Sequence, residues 1–586
     1  VSEKLIDYQD NLSISGKKAQ ELGKFQKIGT ALFTLGAFLL IGATFLRIIV
    51  IPAFTLMLIG AGLFLHYPGK KYGLSQLVLK NSNNIQRFGM VMSLVGLAIT
   101  IVAWLGVALP NPTLFLWLTG TLTAVGILVY TYGSYAKQSR GIKNNYVWNN
   151  SLTGRGLLGW IAGIGLTLFY IQLYWFSSSL KPLIGLFDPL SYLLKGKAAD
   201  QWFVYGTIYT FVILFLGIKF MVKYRHNRYQ LIRTIVVILS QLVLAYFIPN
   251  ILESMNEGVG YFSKDLKNIW PLNYYFTESW SLDNMTQPQK AGPSGFFFFI
   301  WGILLFLIVT PVLTYLVGKR WYCSWVCGCG GLAETAGDGF RHLSSKKLKA
   351  WKIERWMIHV VMVFVLVMTV ATLWPYFSGK DYVIGGLTIT KSAYVYFAAG
   401  LSIISAIGLF VLYKKFASKY LFWGAIILGI IALALSFALI FDLKQVFVID
   451  SRFIKKMYGF LVGSAFSGVI GVGFYPILGN RVWCRFGCPM AGYMGIIQRF
   501  KSRFRITTNG AQCISCGNCS TYCEQGIDVR SYAQRGQNIV RASCVGCGVC
   551  AAVCPRGVLK LENGPEEGRF EPNPIIVDEK GIRLGE

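Results

Sequence analysis

About twelve stretches of this chain stay apolar over roughly 20 residues, the length at which a helix crosses the hydrocarbon core of a bilayer. They lie near 28–46, 48–67, 88–108, 113–134, 157–177, 202–222, 232–252, 295–317, 353–375, 393–413, 419–441 and 457–478. Composition points the same way. Of the 586 residues, 54% are hydrophobic and 14% charged, too apolar a balance for a soluble globular protein of this size. The expected fold is an all-α polytopic membrane protein of about twelve transmembrane helices. Its first two spans are joined only by a tight connection at Arg47.

Lys and Arg in short loops set orientation. The N-terminal segment (Lys17, Lys18, Lys24, Lys27), the 68–87 loop (Lys70, Lys71, Lys80, Arg87), the 135–156 loop (Lys137, Arg140, Lys143, Arg155) and the 223–231 loop (Lys223, Arg225, Arg228) alternate with poorer ones, so these are expected inside. The same parity puts 318–352 and everything after 480 inside, with both termini cytoplasmic. The 442–456 loop, with Lys444, Arg452, Lys455 and Lys456, runs against this assignment. A net charge of +30 could suggest a nucleic-acid partner. Such a surface would concentrate its charge on one soluble patch, whereas here it is spread over alternate loops, so membrane lipid and not nucleic acid is the expected contact. No cleavable leader is expected, because the first apolar stretch is of spanning length and follows a polar, basic lead of roughly 27 residues.

The chain divides into an N-terminal segment (1–27), an N-terminal transmembrane module (28–150), a transmembrane core (151–480) and a cytoplasmic tail (481–586) where cysteines, glycines and charges replace apolar runs. Two outside loops, 178–201 and 253–294, are long enough to fold. The aromatic side chains of the second, Trp270, Tyr274, Tyr275, Phe276 and Trp280, fit an interfacial belt better than a docking surface.

Eight of the 13 cysteines form two runs in the tail, Cys513, Cys516, Cys519 and Cys523, then Cys544, Cys547, Cys550 and Cys554 before Pro555. Each reads C-x2-C-x2-C-x3-C, the spacing by which bacterial ferredoxins hold [4Fe-4S] clusters. Three thiolates then reach one cubane from a single tight turn. The resemblance implies a small α+β two-cluster domain in which the fourth cysteine of each run crosses to the other cluster. Cys513, Cys516, Cys519 and Cys554 would hold one cluster, and Cys544, Cys547, Cys550 and Cys523 the other. Structural zinc also takes four cysteines, but usually as separated C-x2-C pairs.

A repeat supplies four more thiols. Gly318-Lys319-Arg320-Trp321-Tyr322-Cys323-Ser324-Trp325-Val326-Cys327 aligns with Gly479-Asn480-Arg481-Val482-Trp483-Cys484-Arg485-Phe486-Gly487-Cys488, both as G-x-R-x-[YW]-C-x3-C and both directly after an expected span. The pairing suggests two related halves whose cysteines meet. Cys323, Cys327, Cys484 and Cys488 suffice for one more metal centre, and a reducing cytoplasmic face disfavours disulfides. A third [4Fe-4S] cluster is the leading reading; Cu(I), which soft thiolates also suit, and inert buried cysteine stay open. Cys329 has no counterpart in the second copy and is either an alternative ligand to Cys327 or a separate thiol.

Paired C-x3-C motifs after membrane helices, followed by tandem ferredoxin runs, resemble the membrane polyferredoxins typified by NapH, NosR and CcoG. The likeness covers roughly 290–560. Cys484-Arg485-Phe486-Gly487-Cys488-Pro489 fits the family's C-x3-C-P, whereas the first copy has Gly328 where the family usually has proline. No flavin-attachment threonine motif of the NosR kind is present in the sequence. The resemblance implies a subunit of a redox complex in a bacterial inner membrane, exchanging electrons with quinone or a periplasmic redox partner. In a CcoG-like branch it implies cupric-ion reduction during oxidase assembly, a role that a methionine-rich relay run would support and for which the sequence offers none.

Haem is not expected: there is no C-x-x-C-H run, and of the four histidines, His66, His226, His342 and His359, only His359 falls clearly within an expected span. Packing, solvated or interfacial roles are the default for all four. Glu334 and Asp338 would share one face if their stretch is a continuous helix. There they could accept protons from a quinol, although two solvated carboxylates among basic neighbours is the favoured reading.

Overall fold

The structure, a computed structural model, describes residues 24–42, scattered positions between 52 and 63, 83–136, 152–255, most of 265–440, 456–500 and most of 502–584. Among these residues six helices are long and apolar enough to cross a membrane: Asn84–Trp104, Pro112–Ala136, Leu157–Trp175, Gln201–Lys223, Arg228–Ser254 and Gly295–Leu316. Each coincides with an expected span. Lys24–Gly42, Leu348–Gly379, Lys391–Phe416 and Lys419–Ile440 are helical over four further ones. Most of 48–67, with Arg47 and His66, and nearly all of 442–456 lie outside the described residues.

The expected span 457–478 is not one continuous helix. A wide-turned helix, Gly459–Ile470, gives way to a turn and then to the single helical turn Tyr475–Leu478. Gly463, Gly468, Gly471 and Gly473 weaken the helix, and Pro476 sits in the first turn of the short piece, where a missing N–H does no harm. Proline also shapes two of the six long helices. Each widens into a π-helical stretch, Ser240–Phe247 before Pro249 and Leu305–Val309 before Pro311. Proline leaves a carbonyl one turn upstream without its usual donor, and the Thr310 hydroxyl donates to the Leu305 carbonyl at 2.7 Å.

The helices Asn84–Trp104 and Pro112–Thr131 form a close hairpin. A Cβ on Gly89 or Gly126 would lie 2.4 Å from atoms of the facing helix, so small residues let these backbones touch. The expected outside loop 178–201 folds into two short helices, Lys181–Leu186 and Asp188–Lys195. Leu180, Leu183, Leu186 and Phe187 bury there against Trp160, Tyr170 and Phe203.

In the tail, Phe504–Thr508 pairs antiparallel with Leu559–Asn563, closing the two ends of the cysteine-rich segment on each other. Between them one loop occurs twice. Positive φ recurs at matched positions, Ser515 and Gly546, Gly517 and Gly548, Gly526 and Gly557. The short helices Asn518–Thr521 and Val549–Ala552 follow Gly517 and Gly548. The tail is not a free tether. Gln230 donates to the Cys547 carbonyl at 2.7 Å, Tyr229 to Gly546 at 3.0 Å and Ser324 to Val545 at 3.2 Å.

Candidate functional site

The tail cysteines ring two cavities, each an open space of about 360 Å³. One is lined by Cys513, Cys516, Cys519 and Cys554, the other by Cys523, Cys544, Cys547 and Cys550. The division is the crossed one, with the last cysteine of each run facing the other run's first three. Left-handed backbone at the second and fourth loop positions turns three successive thiols inward, and glycine meets that demand everywhere except Ser515. Burial raises Cys519 and Cys547 to about 12, with neighbouring thiols adding to it at Cys519 and the Glu524 carboxylate at Cys547. The first cavity lies toward the surface, where Ile514 is 51% exposed. The second lies against the membrane-helix core.

The two C-x3-C motifs meet as well. Cys323, Cys327, Cys484 and Cys488 are all buried and pack in one cluster with Tyr322, Trp483 and Val545 of the tail. Their backbones repeat one another: the N–H of Cys327 reaches Tyr322 at 2.7 Å, that of Cys488 reaches Trp483 at 3.0 Å, and a helix begins directly after each cysteine. Gly318 and Gly479, one at the head of each motif, both have positive φ. The arginines are exchanged between copies. Arg320 donates to the Cys484 carbonyl at 3.3 Å, and Arg481 to the Cys323 carbonyl at 3.2 Å. Such reciprocity is the signature of a pseudo-two-fold pair. Gly330 permits it, since a Cβ there would fall 1.9 Å from the Cys323 carbonyl oxygen.

Burial and the repulsion of Cys488 and Cys484 push the Cys323 thiol well up, and Cys484 and Cys488 are raised chiefly by burial. Cys327 goes the other way, to about 6, through a hydrogen bond from Cys329 with help from Lys267 and Arg481. Cys329 is thus a thiol beside Cys327, half-buried and turned toward the same centre. Among the described residues no three His, Cys, Asp or Glu side chains meet closely enough to hold a single metal ion. In the tail the sulfurs ring cavities instead of meeting at a point.

The carboxylates are not solvated, which corrects the favoured expectation. The helix Gly328–Thr335 tightens into a 3-10 segment, Ala336–Leu343, so Glu334 and Asp338 part company. Glu334 pairs with Arg233 and, at 2.8 Å, with Arg481. Asp338 accepts from Lys223 at 2.5 Å, Arg341 at 2.8 Å and Tyr224 at 3.0 Å. Burial alone would raise the Asp338 carboxyl, but Lys223 and Arg341 hold it down at about 2. Glu524, the residue after Cys523, joins the same network through Arg341 at 2.8 Å and Arg481 at 3.1 Å. Loop charges that seemed solvated are therefore a buried lattice between core and tail. Of the histidines, His359 is exposed on its helix. His342 is half-buried, with its imidazole well below the usual range through burial and the nearby Lys346 and Arg155, rather than solvated. His226 is half-buried, with both ring nitrogens enclosed.

The sequence shows Arg320 and Arg481 only as letters of the repeat and gives no sign of what Glu524, Gln230 and Arg341 do. An invariant letter inside a repeat was the available signal for the arginines. Nothing local marked the others.

These surroundings agree with what the chain resembles. Residues 512–559 match the 4Fe-4S dicluster domain family, and residues 298–350 and 461–507 both match a 4Fe-4S binding domain family, one match over each copy of the repeat. Ferredoxin-type iron–sulfur domains on a chain with helices able to cross a membrane define an iron–sulfur electron-transport protein. Over 55 residues the chain is 36% identical to the protein named "Putative electron transport protein YccM" of Escherichia coli (strain K12). That stretch is 9% of this chain and 15% of that protein's length. No solved structure matches.

Proposed function

We propose that the chain is the membrane-bound iron–sulfur subunit of a redox complex. It relays single electrons between three [4Fe-4S] centres on the cytoplasmic side of a bacterial inner membrane and either quinone or a partner redox protein. The full protein would cross the membrane about twelve times, with both termini inside. Cys513, Cys516, Cys519 and Cys554 hold the outer tail cluster, and Cys523, Cys544, Cys547 and Cys550 the inner one. Cys323, Cys327, Cys484 and Cys488 hold the third, with Cys329 as a neighbour or alternative to Cys327. When bound, the clusters supply one-electron redox chemistry. The protein's residues hold them in order, shield them from water and set their charge environment.

The observation that carries this reading is the continuity of thiols from surface to core. Cys519 and Cys550 belong to different cavities yet lie close enough to influence each other. Cys547 of the inner cavity packs against the cluster that contains the paired motifs. Clusters at such sites would stand in series.

Anaerobic purification and metal analysis test it. About twelve iron atoms with matching sulfide, and three paramagnetic signals on reduction, are expected. Cys484→Ser with Cys488→Ser should remove one signal, spare two and stop turnover with quinone or partner. Stoichiometric zinc with negligible iron would overturn the reading. Copper bound at the paired motifs, with oxidase activity in a deletion strain rescued by added copper, would favour cupric reduction instead.

A further inference from the structure

Arg320 and Arg481 hold matching places in the repeat, but only one has its charge neutralised by protein. Arg481 faces Glu334 and Glu524. Arg320 is 1% exposed, and no carboxylate lies within ion-pair distance of it among the described residues. Its contact with the Cys484 carbonyl leaves Nε without an acceptor. A guanidinium keeps its proton in a protein, and a lone buried charge is strongly unfavourable. Arg320 Nη1 lies on the Cys484 carbonyl, so the charge stands beside the paired motifs and their buried thiols. A cluster on four thiolates is anionic overall, so the orphaned charge fits one.

The inner tail site is set differently. Around Cys547 the cations Arg233 and Arg341 are matched by Glu524 and Glu334. Adding an electron adds negative charge, and an unmatched cation in a poorly polarisable interior favours that addition more than a matched one does.

We propose that Arg320 sets the reduction potential of the paired-motif centre above that of the centre on Cys523, Cys544, Cys547 and Cys550, so that electrons from the tail come to rest at the paired motifs. The inference rests on the functional reading above. The step is a one-electron exchange: the donor centre is oxidised by one equivalent, the acceptor is reduced by one, no bond forms or breaks, and no proton moves.

Potentiometric titration of the intact, anaerobically purified chain, followed by electron paramagnetic resonance, reads the midpoints directly. In the wild type the third signal should appear at higher potential than the inner tail signal. Arg320→Gln should lower that midpoint alone and reduce the equilibrium constant for electron transfer into the paired centre at least tenfold, about 59 mV for a one-electron couple. Arg320→Lys keeps the charge and should stay near wild type. Gly495→Asp supplies a second route, because a Cβ there stands 3.2 Å from Arg320 Nη2 and its carboxylate would neutralise the arginine in place. It should lower the midpoint in the same direction. A wild type that carries both tail signals and no third one would refute the functional reading. A third signal whose midpoint is unmoved in Arg320→Gln and Gly495→Asp would refute this inference and leave that reading intact. Loss of the third signal in both, with retention in Arg320→Lys, would also refute it, making Arg320 a requirement for holding the centre.

Discussion

Arg481 joins more of the molecule than any cysteine does. One buried guanidinium reaches the Cys323 carbonyl, the Cys484 sulfur at 3.7 Å, Glu334 and Glu524. Arg481→Gln would take one of two guanidinium partners from each of two buried carboxylates, Glu334 keeping Arg233 and Glu524 keeping Arg341, and a lost hydrogen bond to a charged group costs about 1.5–3 kcal/mol. The expected outcome is a clear drop in thermal midpoint by calorimetry, not rescued by Arg481→Lys, since an ammonium cannot form the same fork. Asp338 gives a second residue-scale test. Its carboxyl is depressed from about 3.9 in an unfolded chain to about 2 here. The stability it contributes is therefore complete above roughly pH 4 and is lost as pH falls through about 2. Asp338→Asn should be less stable at neutral pH, and the difference from wild type should shrink in acid unfolding measurements. Neither role could be read from the sequence. Glu334 and Asp338 stand among basic residues as solvated carboxylates would, and only the fold shows that Arg233, Arg481, Lys223 and Arg341 converge on them from three separate segments.

At the scale of elements, the motifs work because loops with left-handed backbone aim thiols inward and because two halves approach with almost no space between them. Gly330→Ala would drive a methyl into the Cys323 carbonyl, and Gly479→Ala would add strain at φ 98° and a clash with Ser344. Each is expected to abolish the third signal while sparing the two tail signals, as read by electron paramagnetic resonance. This level was the most legible. A cysteine run carries its own spacing, so the sequence itself groups the tail thiols and the C-x3-C copies, while the crossed lining of the two cavities is what the ferredoxin resemblance implies. Six expected spans also coincide with long helices. The break after Ile470 was not foreseen, because an apolar average over 457–478 hides glycines that scarcely change hydropathy but undo a helix.

At the scale of the whole molecule, core and tail are one body clasped by charge. Glu524 is 1% exposed between Arg341 and Arg481. Glu524→Gln should loosen the clasp, speeding proteolytic release of the tail from detergent-solubilised protein. Unchanged protection would show that Gln230, Tyr229, Ser324 and the apolar contacts suffice. The sites also differ in depth. Cys513 and Cys516 are half-buried beside exposed Ile514, Cys544 and Cys550 are buried, and the paired motifs pack under Trp321, Tyr322 and Trp483. A protein arranged in this way has a built-in order of decay. Oxygen should strip the outermost centre first and the paired one last, so brief exposure to air would leave a molecule that has lost its entrance while its interior still holds iron.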